Sequence, residues 1–184
     1  MLFRSSTRCG SSVASALAAR LYWPGWVAAT ALTGIVAGFM LGHALILARF
    51  VDWLLMTGTP APGLEYAAFR ATAGRGGLTA FYAVCGLQVI AVVVFLGLAL
   101  ASGRARGAAA LAAAAGALWV VAHYASGFGA LEATVVRATS AVPPDIAASF
   151  LRLNVPIHFF HSATLATALG ALLTVPRSAS RRKD

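Results

Sequence analysis

His43, His123, His158 and His161 are the only histidines of this chain, and each falls inside a long apolar stretch. A neutral imidazole carries protons near neutral pH, offers a lone pair to zinc, copper, iron or nickel, and can bind haem axially. Ionisable groups at bilayer depth are costly and face the interior of a bundle, where they find a partner or a function. His158 and His161 stand three residues apart and so share one face of a helix. Asn154, four residues before His158, extends that face, and Tyr82 is a candidate to complete the site as a hydrogen-bond donor. The candidate metal ligands are therefore His43, His123, His158 and His161, with Tyr82 and Asn154 as candidate cofactor-binding residues. The cofactor is a transition metal (copper, iron or zinc) or haem. A histidine cluster of this kind also suits proton handling or binding of a quinone-like ring.

Other chemistry has less to build on. Ser126, Ser149 and Ser162 have histidine neighbours but no buried acid to complete a triad. Glu65 and Glu132 fall in polar connections and read as solvated acids that could cap the histidines from the aqueous side. Cys9 and Cys85 lie in different environments without a Cys-x-x-Cys spacing, which argues against a disulfide. No glycine-rich phosphate loop follows a strand pattern.

The elements that position these residues follow from hydropathy. Hydrophobic residues make up 60% of the sequence and charged ones 10%, with a mean hydropathy of +0.82. The apolar residues come in blocks of about 20, enough to cross a bilayer. The expected fold is all-α, an integral membrane four-helix bundle, with spans near 26–48, 78–101, 108–128 and 154–175. Residues 1–25 form a basic flank, 26–175 the membrane domain and 176–184 a basic tail. A short interfacial helix is expected around 64–72. Gly34, Gly38 and Gly42 line one ridge of the first span, where small residues let helices approach closely in lipid.

The formal charge of +9 comes from arginines between and beyond the spans, not from a stripe interleaved with aromatics, so nucleic acid is not an expected partner. The lipid bilayer is, along with other membrane subunits or further copies of this chain. With the N-terminus inside, Arg4, Arg8, Arg20, Arg104, Arg106, Arg177, Arg181, Arg182 and Lys183 lie inside, against Arg49, Arg70, Arg75, Arg137 and Arg152 outside. This asymmetry puts both termini in the cytoplasm or matrix. The acid-free segment 1–22 is either the inner flank of span one or a mitochondrial targeting segment, so the membrane is the bacterial inner membrane or the mitochondrial one. On this topology His43 and His123 lie five residues before the outer ends of their spans. His158 and His161 lie four and seven residues after the outer start of theirs. At about 1.5 Å per residue, all four share a layer roughly 6–11 Å below the outer boundary.

The stretches LTGIVAGFMLGHALILARF and EYAAFRATAGRGGLTAFY, with SFLRLNVPIHFFHSATLATALGALL near the end, resemble the anthrone oxygenase-like family of small four-helix membrane proteins. Phe150, Arg152 and Asn154 match the aromatic, basic and Asn positions that open that family's last helix. The resemblance implies oxygen-dependent oxidation of a polycyclic aromatic substrate. The chain departs from the family pattern at HYASGFGALEA and at His158, which stands where a basic residue is expected.

Two functional expectations follow. The first is a membrane oxidoreductase or oxygenase-like protein with a histidine-lined metal or redox-cofactor site near the outer face. The second is a non-catalytic packing subunit of a larger, respiratory-type membrane complex. Topology is open to direct test. In a Cys9→Ser background, single cysteines at Thr59 and Ser180 should react with an impermeant maleimide from opposite sides, and labelling of both from one side overturns the assignment.

Overall fold

The computed structural model describes residues 7–57, 75–138 and 140–180. Helix α1 spans Thr7–Gly42, passes through a π-helical turn at His43–Leu47 and continues as α2, Ala48–Met56. Helix α3 covers Arg75–Ser102, α4 Arg106–Ala125, α5 Phe128–Arg137 and α6 Pro144–Ser180. No strand occurs among the described residues. Four helical stretches there are long and apolar enough to cross a membrane: Ser15–Met56, Thr79–Ser102, Arg106–Ala125 and Pro144–Pro176. The chain is thus an all-α bundle with a membrane protein's composition. Glu65 and the interfacial helix expected at 64–72 lie outside the described residues.

The four long helices form a ring. α1 packs on α3 and α6, and α4 packs on the same two helices from the opposite side. This is an up-down arrangement of sequential neighbours, which short connections favour. Between α3 and α4 the chain reverses at Gly103 (φ 71°) and Ala105 (φ 44°), and the Arg104 N–H donates back to the Ala99 carbonyl at 3.1 Å. The Arg104 guanidinium sits 5.5 Å over the Tyr22 ring. At the opposite end Gly127 (φ 76°) stops α4 and folds α5 back across the bundle. Glycine suits that left-handed position because it carries no Cβ.

Two apolar layers fill the ring and a third closes one end. Tyr22, Val92, Phe95, Ala112 and Leu172 pack beside the α3–α4 turn. Val36, Met40, Cys85, Trp119 and Leu165 fill the middle. Phe128, Val135 and Phe150 close the far end beneath α5. A buried polar node ties three helices together: Trp119 donates to Gln88 at 3.2 Å, and Gln88 donates to Thr33 at 3.3 Å. Trp26 donates to the Leu172 carbonyl at 2.8 Å, linking α1 to α6. Large apolar side chains such as Ile35, Ile46, Ile90 and Leu173 point outward, as the inverted polarity of a lipid-exposed bundle requires.

Two sequence expectations need correction. The first helix starts well before residue 26, and Ala18 and Tyr22 of the expected flank are buried within the bundle. Pro156 lies deep inside α6, where its missing N–H leaves the Arg152 carbonyl without its helical donor. The glycine ridge does not face another helix. Among the described residues, nothing lies within 4 Å of a Cβ placed at Gly34, Gly38 or Gly42. The inward row of α1 is instead Thr33, Val36, Met40 and Ala44.

Close helix approach occurs elsewhere. A Cβ at Gly116 of α4 would stand 3.0 Å from Gln88 Nε2 and 3.3 Å from Val92 Cγ2. Overpacking of this kind costs about 1–3 kcal/mol. Gly116→Leu should therefore lower the melting temperature of the detergent-solubilised protein by several degrees, whereas Gly38→Leu should leave it near the parent value. Equal stability of the two variants, measured by tryptophan fluorescence, contradicts this packing.

Candidate functional site

The four histidines come from three helices and meet between the middle and end apolar layers. His43 opens the π turn, His123 lies in the last turn of α4, and His158 and His161 lie on α6. The His43 and His158 rings stack with centroids 4.0 Å apart and planes 17° from parallel. His158 and His161 are 5.6 Å apart edge to face, and His161 and His123 are also 5.6 Å apart. His158 and His161 are buried, while His43 and His123 are partly buried.

The π turn explains how His43 and the chain beyond it reach α6. Residues four apart in an α-helix drift about 40° round the axis at each step. Val36, Met40, Ala44 and Ala48 are nevertheless all buried, because the wider turn at His43–Leu47 takes back part of that drift. Asp52, one further step on, is thereby aimed at α6, where its Oδ1 accepts a 2.8 Å hydrogen bond from Asn154. The Asn154 amide also donates to the Ala48 carbonyl at 2.9 Å. Both partners are acceptors, so the orientation of the amide is fixed.

The Asn154 backbone carbonyl lies 2.8 Å from His158 Nδ1. A carbonyl only accepts, so Nδ1 carries the proton and Nε2 keeps its lone pair. This is how a histidine is prepared as a ligand through its far nitrogen. Asn154, only 1% exposed, thus clamps α6 to α1 and α2 with its side chain while its main chain sets the His158 tautomer.

Glu132 supplies the acid. It sits on α5, and its Oε2 lies 3.7 Å from His123 Nε2, too far for a hydrogen bond. Gly129 permits that approach, since a Cβ there would stand 3.0 Å from His123 Nε2. Burial pushes the Glu132 carboxyl above its ordinary value, a penalty that a bound cation would reverse. One ligand atom each from His43, Glu132 and His158 lie within 4.8 Å of one another. Atoms bonded to a common ion at about 2.0–2.2 Å sit roughly 3–4 Å apart, so these three side chains could hold a metal only after closing by about an ångström.

His161 is fully buried, and neither ring nitrogen has a hydrogen-bond partner among the described residues. A neutral imidazole always has one donor and one acceptor, and leaving such a group unsatisfied costs about 1–3 kcal/mol. Phe128, edge-on to His158 at 5.5 Å and stacked on Phe150 at 5.6 Å, shields the layer from the α5 side. Trp119 stands 5.6 Å from His161 on the other.

Tyr82 is not drawn into this layer. It is 62% exposed on α3, beside Phe81. The His43–His158 stack leaves no room for a macrocycle between those two rings. Asp52 is the residue whose part the sequence did not reveal, and Glu132, expected as a solvated acid that could cap the histidines, lies 3.7 Å from His123. Glu132 reads as a solvated loop acid until the Gly127 turn is known, and Asp52 enters only through the π turn. The chain matches no protein-family model, no curated protein and no solved structure.

The Asn154 clamp can be tested without any ligand. Asn154→Leu removes the buried hydrogen bond to the Ala48 carbonyl and the partly buried one to Asp52, at a cost of about 1–3 kcal/mol. The expected outcome is a lower melting temperature with helix content unchanged by circular dichroism. A variant as stable as the parent would remove the clamp from this account.

Proposed function

We propose that this chain is a membrane-embedded metalloprotein of oxidoreductase or oxygenase type, with iron held by His43, His158 and Glu132. The observation that carries this reading is the set of donors within 4.8 Å of one another. Two imidazoles and one carboxylate with open positions are the donor set of non-haem ferrous oxygenases, and an ion so held supplies the positions at which dioxygen is activated. Zinc takes the same set of two imidazoles and one carboxylate, and iron is chosen here because the resemblance to an oxygenase-like family adds redox chemistry.

The chain's own residues have separable duties in this reading. Asn154 holds the proton on His158 Nδ1 and leaves Nε2 to the ion. Glu132 offsets one unit of the ion's charge, which a buried cation needs. Phe128 and Phe150 keep bulk water from the α5 side. A groove of about 280 Å³ between α1 and α3, walled by Ile35, Phe39, Phe81 and Val84, offers a lipophilic substrate a path from the bilayer. Phe39 in its wall stands 6.0 Å from the His43 ring. Oxidation of an aromatic, bilayer-soluble compound is the activity that the resemblance to the anthrone oxygenase-like family adds.

The test is anaerobic loading of the purified protein with ferrous iron, followed by desalting and elemental analysis. The parent should retain iron, and His43→Ala/His158→Ala should lose affinity at least tenfold while keeping its helix content. A parent that retains no iron, copper or zinc sinks the reading.

A further inference from the structure

The three ligands of that site leave two histidines over. His123 and His161 lie on different helices, yet their rings are 5.6 Å apart, and His123 Nε2 is 3.7 Å from the carboxylate that serves the first three-ligand set. His161 has both nitrogens buried and unpartnered among the described residues. A structural histidine in a bundle core finds a carbonyl or hydroxyl to bond, as His158 does with Asn154. His161 has Trp119 at its edge instead, a ring whose N–H is already given to Gln88.

We propose a second metal site in the same layer, in which His123 and His161 bind a further first-row divalent ion and Glu132 bridges it to the first. This inference rests on the one-ion reading above and extends it. A carboxylate has two oxygens and about four lone-pair directions, so Glu132 can serve both ions at once. The geometry favours the division, because Glu132 lies against His123 through Oε2 and belongs to the His43–His158 group as well. Donors projecting inward from facing helices are how bundles build two-metal centres. Two ions would be offset by this one carboxylate through its two oxygens. The unpaired His161 nitrogens gain a partner in the same step.

Cobalt(II) is a suitable probe because it occupies nitrogen and oxygen sites and reports coordination through its visible bands. The full-length protein in detergent would be loaded with cobalt chloride, desalted, and measured for cobalt per chain by elemental analysis. The expected result is two ions in the parent and one in His123→Ala/His161→Ala. One ion in the parent overturns the second site and leaves the three-ligand reading standing. None overturns both. Two ions in the parent and still two in the variant place the second ion elsewhere and overturn this assignment. One ion or none in the parent overturns the second site without any mutant, and if the double variant fails to fold, His161→Phe takes its place, with one ion expected and two overturning the assignment.

Discussion

Polar groups buried inside the bundle must find their partners within it, and most of this molecule's architecture follows from that constraint. The polar side chains of the core accordingly bridge helices: Gln88 joins α3 to α1 and α4, Trp26 joins α1 to α6, and Asn154 joins α6 to the α1–α2 junction. Apolar packing fills the space between these ties, but lipid tails offer side chains the same apolar welcome. Position is therefore set largely by the hydrogen bonds and by close small-residue contacts such as Gly116.

The long first helix shows how one element answers to two partners. Its lower part is matched to α3 through Val36 and Met40, and its upper part to α6 through Ala48 and Asp52. An uninterrupted α-helix could not keep both faces in register over this length. The π turn at His43–Leu47 resets the phase and puts His43 at the point of change. π turns often mark functional positions because the extra residue frees a side chain from the regular helical lattice.

The four spans were legible in the sequence because bilayer crossing demands long apolar runs, and those runs have no other reading. The common depth of the histidines was legible too, since helical rise and hydropathy fix depth without knowledge of packing. Azimuth was not. Gly34, Gly38 and Gly42 form a ridge by spacing, yet spacing does not say which way a ridge faces, and the buried row begins one residue earlier at Thr33. Tyr82 was misplaced for the same reason, its depth being inferable and its direction not. Glu132 was legible only as an acid on the aqueous side of the histidines, because its place against His123 depends on the reversal at Gly127, a local backbone event that hydropathy does not register.

The same reversal bears on how the protein is made. Glu132 rides on a ten-residue helix that does not span, so no translocating segment has to carry this carboxylate through the hydrocarbon. A charged side chain at the centre of a spanning helix raises the insertion free energy by about 2.5–3.5 kcal/mol. Here the spans can partition into the bilayer as greasy, nearly uncharged cylinders. A carboxylate carried outside the spans is free of that insertion cost, and it need reach the polar layer only through the packing of α5 against the ring.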